Sequence, residues 1–284
     1  ALFTRGQNWG FPPVSPVESL RTGHALFVES IEAHLEHARA LRIDHAGGLH
    51  RAFWIPQGAE ASDGVYVEMP SESLYAALAV LSHRHDALIV GEDLGSVPES
   101  SRRAMDEHAV ARMHIVQFDL GSEDAPLPEA PEETLAALNT HDMPTIAAHL
   151  QGEDIDLLLR LGLLTEDDAS TQRTNRAARR ARAVRALLDR AALDPAHATD
   201  DRAIVEALLA WLSEGDATVV LVSLEDLWLE RTPQNVPGIT DGFPAWRRRA
   251  APSIDDITTD PRLAGVLERL AAARSARAVA AEGD

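Results

Sequence analysis

The amino-acid sequence predicts an α/β fold in which parallel strands alternate with helices. Short apolar runs of β type are separated along the chain by segments of helical periodicity, which is the pattern of parallel strands joined by crossover helices. Each predicted strand also ends in an acidic residue. In a parallel TIM (β/α)8 barrel the active site lies at the carboxyl ends of the strands, so this clustering of acids favours a barrel.

The predicted elements follow one another in strand and helix pairs. The helical segment HALFVESIEAHLEHA (24–38) leads into the strand ARALRID (38–44), and SESLYAALAVLSHRH (71–85) leads into DALIVGED (86–93). The strands MHIVQFD (113–119) and LAALNTHD (135–142) come next, and DRAIVEALLAWLSEG (201–215) precedes ATVVLVSLED (217–226). The segment PRLAGVLERLAAARSARAVA (261–280) predicts a final helix.

Length and composition narrow the possible functions. The 284 residues suffice for one large α/β domain or two small ones, and the net charge of −19 argues against nucleic acid or an anionic membrane as a partner. The basic run 173–190 has apolar residues at helical spacing, which favours a solvated helix face over a binding patch. The chain has no cysteine and no apolar run near the roughly 20 residues that span a bilayer, so we expect a protein of the cytoplasm.

The acids at the strand ends could serve two purposes. They are Asp44, Glu92 with Asp93, Asp119, Asp142, and Glu225 with Asp226. Acids that follow strands often cap the next helix. Capping poorly explains why Arg42 and His141 lie beside these acids and just inside apolar runs, because buried charge is costly unless it is paired.

Asp44 and Glu92 have the right chemistry for glycoside cleavage with retention. That reaction needs a nucleophilic carboxylate and a carboxylic acid about 5–5.5 Å apart, and ends of neighbouring parallel strands can supply both. Arg42 lies two residues before Asp44 and therefore on the same side of its strand. We expect Arg42 to pair with Asp44 and to keep this nucleophile ionised.

Several motifs resemble one enzyme family. GQNWGFPP, ALRIDHAGGLHRAFWIP, IVGEDLGSVP, NTHDMPT, and NVPG followed by WRRR are similar to the motifs of glycoside hydrolase family 77 in its longer bacterial form, the 4-alpha-glucanotransferases also called amylomaltases or disproportionating enzymes. The resemblance runs from about residue 6 to residue 250 in the family's order. It implies a barrel of the α-amylase clan, of which this chain carries roughly strands 4 to 8.

The resemblance also implies roles for individual residues. Asp44 matches the nucleophile, Glu92 the general acid/base, and Asp142 the third carboxylate, which holds sugar hydroxyls. The residues that match substrate-binding positions are Trp9, Arg42, His45, Trp54, His141 and Asn235. Trp9 matches an aromatic residue of the acceptor side, whereas Trp54 could equally pack in the core. Met143 and Pro144 stand where shorter members carry a second acid, and Ile239 separates Gly238 from Thr240 within the family's Pro-Gly-Thr.

The implied activity is the transfer of an α-1,4-glucan segment to the 4-hydroxyl of an acceptor glucose or maltodextrin by double displacement. The absence of a β-rich segment after Asp226 favours transfer over hydrolysis. An α-glucan hydrolase of the α-amylase clan and a non-catalytic glucan-binding remnant remain as alternatives. We expect no cofactor and no metal, and for His83 and His85 solvation at a helix end is favoured over metal binding.

The expected partners are maltodextrins and other α-1,4-glucans. Residues 1–284 are expected to form the C-terminal part of a single catalytic barrel, with the N-terminal domains and the first barrel strands absent. Because five strands cannot close an eight-stranded barrel, we expect activity to require the missing N-terminal half.

Overall fold

A computed structural model of the chain describes residue 8 and residues 10–95, 97–239 and 242–281. Trp9 and Thr240 therefore lie outside the described residues. The chain divides into two compact units, of which the first ends at Met113 and the second begins at His114. Of the helices described, none is long and apolar enough to cross a membrane.

The described elements are mixed in type, as the sequence predicts. The strands are β1 Ala40–Ile43, β2 Arg51–Trp54, β3 Val65–Glu68, β4 Leu88–Gly91, β5 Arg112–Ile115, β6 Thr134–Ala137 and β7 Val219–Leu221. The α-helices are α1 Pro16–Arg21, α2 Ala25–Leu35, α3 Ser71–His85, α4 Glu99–Glu107, α5 Val116–Asp119, α6 Ile146–Gln151, α7 Glu153–Arg160, α8 Glu166–Asp189, α9 Asp201–Glu214, α10 Leu224–Leu227, α11 Ile254–Thr259 and α12 Pro261–Ala281. Short 3-10 helices lie at Ala46–Leu49, Ala61–Asp63 and Pro195–His197.

In the first unit, β1 and β4 pair in parallel, and Val90 forms a further parallel bridge to Ala111. Helices α2 and α3 pack on this pair, and the core between them contains Leu78, Leu81 and Ile89. Burial of these apolar side chains stabilises the strand ends that follow. The predicted parallel arrangement is confirmed for this pair.

An antiparallel hairpin, which the sequence prediction did not contain, follows β1. Its strands β2 and β3 pair Arg51 with Glu68 and Trp54 with Val65. The Phe53 and Tyr66 rings meet edge to face with centroids 5.1 Å apart. The alternation of exposed and half-buried residues in β2 fits a hairpin with one solvated face.

The second unit contains the larger core. Its sheet has the order β5-β6-β7, and β6 and β7 pair in parallel. Helix α9 carries Ile204, Leu208 and Leu212 into a core shared with α8 and α12. The helix predicted over 201–215 is therefore confirmed to within one residue.

Three predicted strands end well before their acids. The strand predicted over 135–142 ends at Ala137, so Asp142 lies in the segment beyond it. In the other two the chain turns into a helix before the acid. The strand predicted over 113–119 ends at Ile115, and α5 continues from Val116 to Asp119. The strand predicted over 217–226 ends at Leu221, and α10 carries Glu225 and Asp226. Apolar composition does not mark this change, since both conformations accept buried apolar residues.

The arginines of α8 are more engaged than a solvated helix face would require. Arg179 donates to the Leu120 carbonyl at 2.8 Å and the Phe118 carbonyl at 2.7 Å, and Arg182 donates to the Gly121 carbonyl at 2.8 Å. These guanidinium groups thereby hold the end of α5 and the segment that follows it.

Candidate active site

The parallel pairing of β1 and β4 brings Asp44 and Glu92 together. Ile43 lies opposite Gly91 in the register, so Asp44 and Glu92 come next on their two strands. The ladder continues through the Glu92 amide, which donates to the Ile43 carbonyl at 2.9 Å, and the Ala46 amide, which donates to the Glu92 carbonyl at 3.0 Å. The main chain thus fixes the origin of both side chains.

Gly91 is required by close packing immediately before Glu92. A Cβ atom at Gly91 would lie 2.8 Å from Met105 Sδ, 3.1 Å from Ala46 Cβ and 3.3 Å from Val110 Cγ1. Any larger residue would displace these neighbours, because the interior around them is already filled. The glycine therefore lets β4 approach the core at the point where Glu92 emerges.

Glu92 is a buried carboxyl group with a fixed orientation. Its residue is 7 % exposed. Oε2 accepts from the His45 amide at 2.9 Å, and Oε1 accepts from the Leu94 amide at 2.7 Å. His45 has a left-handed backbone conformation with φ 47°, which turns the chain so that its amide faces Glu92.

Asp44 is more exposed and is held by two cationic or ionisable neighbours. Oδ1 lies 2.6 Å from Arg42 Nη2, and Oδ2 lies 3.1 Å from His45 Nδ1. Partial burial acts to raise the pKa of Asp44, but the Arg42 charge and the His45 ring together outweigh it and lower the pKa below its usual value. With 58 % of its side chain exposed, Asp44 is an ionised carboxylate open to a ligand.

Ligand atoms of Asp44, His45 and Glu92 all lie within 4.8 Å of one another. Among the residues that the structure describes, this is the group of acids and histidines that could share a metal ion. The short distance between the two carboxylates also suits the nucleophile and acid of a retaining glycosidase, whose carboxyl groups are about 5–5.5 Å apart.

The second unit holds three further predicted site residues, Asp142, His141 and Asn235. Asn235 Nδ2 donates to Asp142 Oδ1 at 2.7 Å, and His141 Nε2 lies 3.3 Å from Asp142 Oδ2. The His141 ring also contacts the Trp246 ring, with centroids 5.8 Å apart. The structure thus joins three residues that the sequence predicts separately.

Trp246 and the backbone donors to Glu92 were missed by the sequence prediction. Trp246 stands in the WRRR motif, and an exposed aromatic residue in such a motif could have been proposed as a sugar-stacking group. No sequence pattern indicates that the amides of His45 and Leu94 bind Glu92. Trp54 ends β2 as a half-buried residue whose indole Nε1 is buried without a hydrogen-bond partner.

Comparison with known proteins shows that the sequence is similar to those of 4-alpha-glucanotransferases. The family model described as 4-alpha-glucanotransferase matches residues 1–255. The chain is 35 % identical over 283 residues to a 4-alpha-glucanotransferase of Mycobacterium bovis and 29 % identical over 265 residues to one of Haemophilus influenzae. These matches cover 94 % and 91 % of this chain, respectively, but only 38 % of each relative.

A solved structure of an amylomaltase has a fold similar to that of this chain. The crystal structure of amylomaltase from Corynebacterium glutamicum superposes with a TM-score of 0.84 at 26 % identity. The match covers 96 % of this chain and 41 % of that protein. The chain therefore spans about two fifths of the length of these proteins.

Proposed function

Since the chain belongs to the 4-alpha-glucanotransferase family, we propose that it carries the catalytic residues of an enzyme that moves α-1,4-glucan segments between maltodextrins. The acceptor is the 4-hydroxyl of a glucose or maltodextrin. The observation that carries the proposal is the pair formed by ionised Asp44 and buried Glu92, whose oxygens approach within 4.8 Å. Carboxylates with oxygens this close to each other are consistent with cleavage with retention.

Asp44 and Glu92 act in two steps in this proposal. In the first step an Asp44 oxygen attacks the anomeric carbon, the bond to the leaving glucan oxygen breaks, and Glu92 gives its proton to that oxygen. In the second step Glu92 takes the proton of the acceptor 4-hydroxyl, whose oxygen displaces Asp44 from the glycosyl ester. Arg42 keeps Asp44 ionised and aligned, because it lies 2.6 Å from the attacking carboxylate.

The other site residues are proposed to hold the sugar. Asp142 is the third carboxylate, and its two oxygens are already oriented by Asn235 and His141. Carboxylates oriented in this way accept sugar hydroxyl groups without further reorganisation. His45, Trp54 and Trp9 are proposed to line the glucan path.

The proposal assigns activity to a longer polypeptide. This chain would supply roughly strands 4 to 8 of a TIM barrel of the α-amylase clan, as the C-terminal part of a single catalytic domain. Two observations support the need for the N-terminal half: the chain spans 38 % of its relatives, and β1 pairs only with β4 among the described residues. A cytoplasmic location is part of the same proposal, supported by the absence of cysteine.

The experiment is a product analysis with maltotriose as the sole substrate of the complete polypeptide. Transfer predicts glucose together with a ladder of longer maltodextrins, unchanged by a chelator. Products that are only shorter, with one new reducing end for each bond cut, would instead favour an α-glucan hydrolase. Binding of maltotriose without any turnover would favour a non-catalytic remnant.

A further inference from the structure

Two adjacent acids at the start of the short helix α10, Glu225 and Asp226, have no part in the reaction proposed above. Both follow β7, and both side chains point into the second unit. Asp226 is 2 % exposed. Each carboxylate makes hydrogen bonds to a different segment of the chain, and these two segments meet at Asp142.

Asp226 holds both ends of the segment 139–146, which carries His141 and Asp142. Asp226 Oδ1 accepts from Asn139 Nδ2 at 3.1 Å and from the Ile146 amide at 3.4 Å. Asn139 lies just after β6, and Ile146 begins α6. One oxygen atom therefore ties the beginning of the segment to its end.

Glu225 binds Gln234 and Arg248, which lie close in sequence to Asn235 and Trp246, the residues that contact Asp142 and His141. Glu225 Oε1 accepts from Gln234 Nε2 at 2.8 Å and from Arg248 Nη2 at 3.0 Å. Gln234 precedes Asn235, the donor to Asp142, and the Gln234 carbonyl accepts from the Trp246 amide at 2.9 Å. Glu225 thus orders the sequence neighbours of Asn235, which contacts Asp142, and of Trp246, which contacts His141.

We propose that Glu225 and Asp226 are positioning residues for Asp142 and His141, so that one turn of helix sets the geometry of four side chains at this subsite. The inference rests on the proposed function, because it assigns Asp142 a role in holding the sugar. Asp226 acts on the segment that carries the pair, and Glu225 acts on the segment that supplies Asn235 and Trp246.

The chemistry of Asp226 supports a positioning role over a purely structural one. Burial raises the pKa of Asp226 to about 6, even though Asn139 and the Ile146 amide oppose the shift. A buried carboxylate whose ionised form is disfavoured weakens the folded state at neutral pH. An apolar side chain would fill the same space without that cost but would leave Asn139 and the Ile146 amide unpaired.

The first test is kinetic and uses the complete polypeptide. Asp226→Ala removes the acceptor for both ends of the segment, and we expect kcat on maltotriose to fall by up to about 100-fold, as for small displacements of positioned groups. Asp226→Asn keeps an oxygen at the same place and should restore kcat to within about threefold of the wild type, less than 1 kcal/mol in barrier. Asp154→Ala is the matched control, because Asp154 is also buried but pairs with Arg176 rather than with Asn139 and the Ile146 amide.

The second test reads the geometry without turnover. The protein is labelled with 5-fluorotryptophan, and the ¹⁹F resonance of residue 246 is identified by its loss in Trp246→Phe. The position of this resonance depends on the contact between the Trp246 and His141 rings. We expect Glu225→Ala and Asp226→Ala to shift this resonance, whereas Glu225→Gln, Asp226→Asn and Asp154→Ala leave it in place.

The outcomes separate the two proposals. An unchanged kcat and an unchanged resonance in both alanine variants would overturn the positioning role. Wild-type protein that does not disproportionate maltotriose would contradict the proposed function, and the resonance would then decide the inference alone. Equal losses of kcat in Asp154→Ala and Asp226→Ala would show a general effect of lost stability and would also overturn it.

Discussion

Asp44 and Glu92 follow neighbouring strands but have opposite environments. Asp44 is exposed over more than half of its side chain and is paired with Arg42, whereas Glu92 is buried and bonded to two backbone amides. The exposed, charge-paired carboxylate is suited to attack, and the enclosed one is suited to proton transfer at a fixed position. The following two predictions test this division of roles.

Glu92→Gln should lose nearly all turnover of maltotriose while it still binds the sugar. The glutamine oxygen can accept from only one of the His45 and Leu94 amides, and its amide group can neither protonate the leaving oxygen nor accept the proton of the acceptor hydroxyl. Calorimetric titration with maltotriose and a product assay measure the two properties. Turnover near the wild-type rate would remove Glu92 from its proposed role.

Arg42→Gln should move the acid limb of the kcat/KM profile to higher pH. Arg42 is one of the groups that lower the pKa of Asp44, so its removal raises that pKa and leaves less of the carboxylate ionised in weak acid. Arg39→Gln is the control. Arg39 lies one residue before β1 and forms an exposed ion pair with Asp86. An acid limb that stays in place in Arg42→Gln would show that another group titrates there.

At the scale of elements, side chains rather than long strands hold the functional segments. The described strands have only three or four residues, so few main-chain bonds order the segments beyond them. Arginines of α8 bind carbonyls of α5 and of the residues after it, and the acids of α10 bind the segments around Asp142. Polar contacts of this kind are specific but sensitive to the loss of one partner.

Arg179→Lys should lower the free energy of unfolding by about 1–3 kcal/mol, because the Phe118 and Leu120 carbonyls lose charged donors. A lysine cannot place two donors in the fork that reaches both the Phe118 and Leu120 carbonyls. Arg185→Lys on the same helix changes only an exposed pair with Asp189 and should have little effect. Equal midpoints of denaturant unfolding for the two variants would contradict the stabilising role of Arg179.

Asp226→Asn should stabilise the protein above pH 6 and change how its stability depends on pH. The folded-state pKa of Asp226, about 6, lies above the usual 3.8, so the folded state binds the proton first. In the wild type this group therefore adds stability as the pH falls from about 7 to 4, by up to about 3 kcal/mol, and Asp226→Asn removes the dependence.

Unfolding by denaturant between pH 4 and 8 measures this effect. Asp154→Asn is the contrast, since it weakens an ion pair with Arg176 and should destabilise the protein at neutral pH. If the stability of the wild type and of Asp226→Asn changed with pH in the same way, Asp226 would not be the group responsible.

At the scale of the whole molecule, one edge of β1 has no strand partner among the residues that the structure describes. Among the described residues β1 pairs with β4 alone, and its apolar residues Leu41 and Ile43 are only partly buried. An unpaired strand edge next to apolar side chains favours association with other chains. The N-terminal part proposed above would supply the residues that cover this edge.

Residues 1–284 produced alone should be prone to association and inactive on maltotriose. Activity should return when the N-terminal part is supplied in the same chain or as a separate piece, because the loops that enclose the glucan would then be present. Light scattering, thermal unfolding and the maltotriose assay test this together. A monomer with a cooperative transition and full activity would contradict it.

Residue patterns predicted the type of most elements but not their ends. Helices α3, α9 and α12 and the parallel pairing of β1 with β4 follow from periodicity and apolar runs. The hairpin of β2 and β3 and the helical turns at α5 and α10 were missed. These elements depend on hydrogen bonds that local composition does not specify, such as the Gln117 amide to the Leu138 carbonyl at 3.0 Å.

The sequence by itself determined the chemistry of the candidate site, because carboxylates at strand ends and Arg42 two residues before Asp44 follow from the order of residues alone. Only the tertiary structure decided which groups orient them. Asn235 and Asp142 are 93 positions apart, and Asp226 and Asn139 are 87 apart. Hydrogen bonds act over about 3 Å, so such partners are set by how packed elements bring distant segments together, which no local pattern of residues encodes.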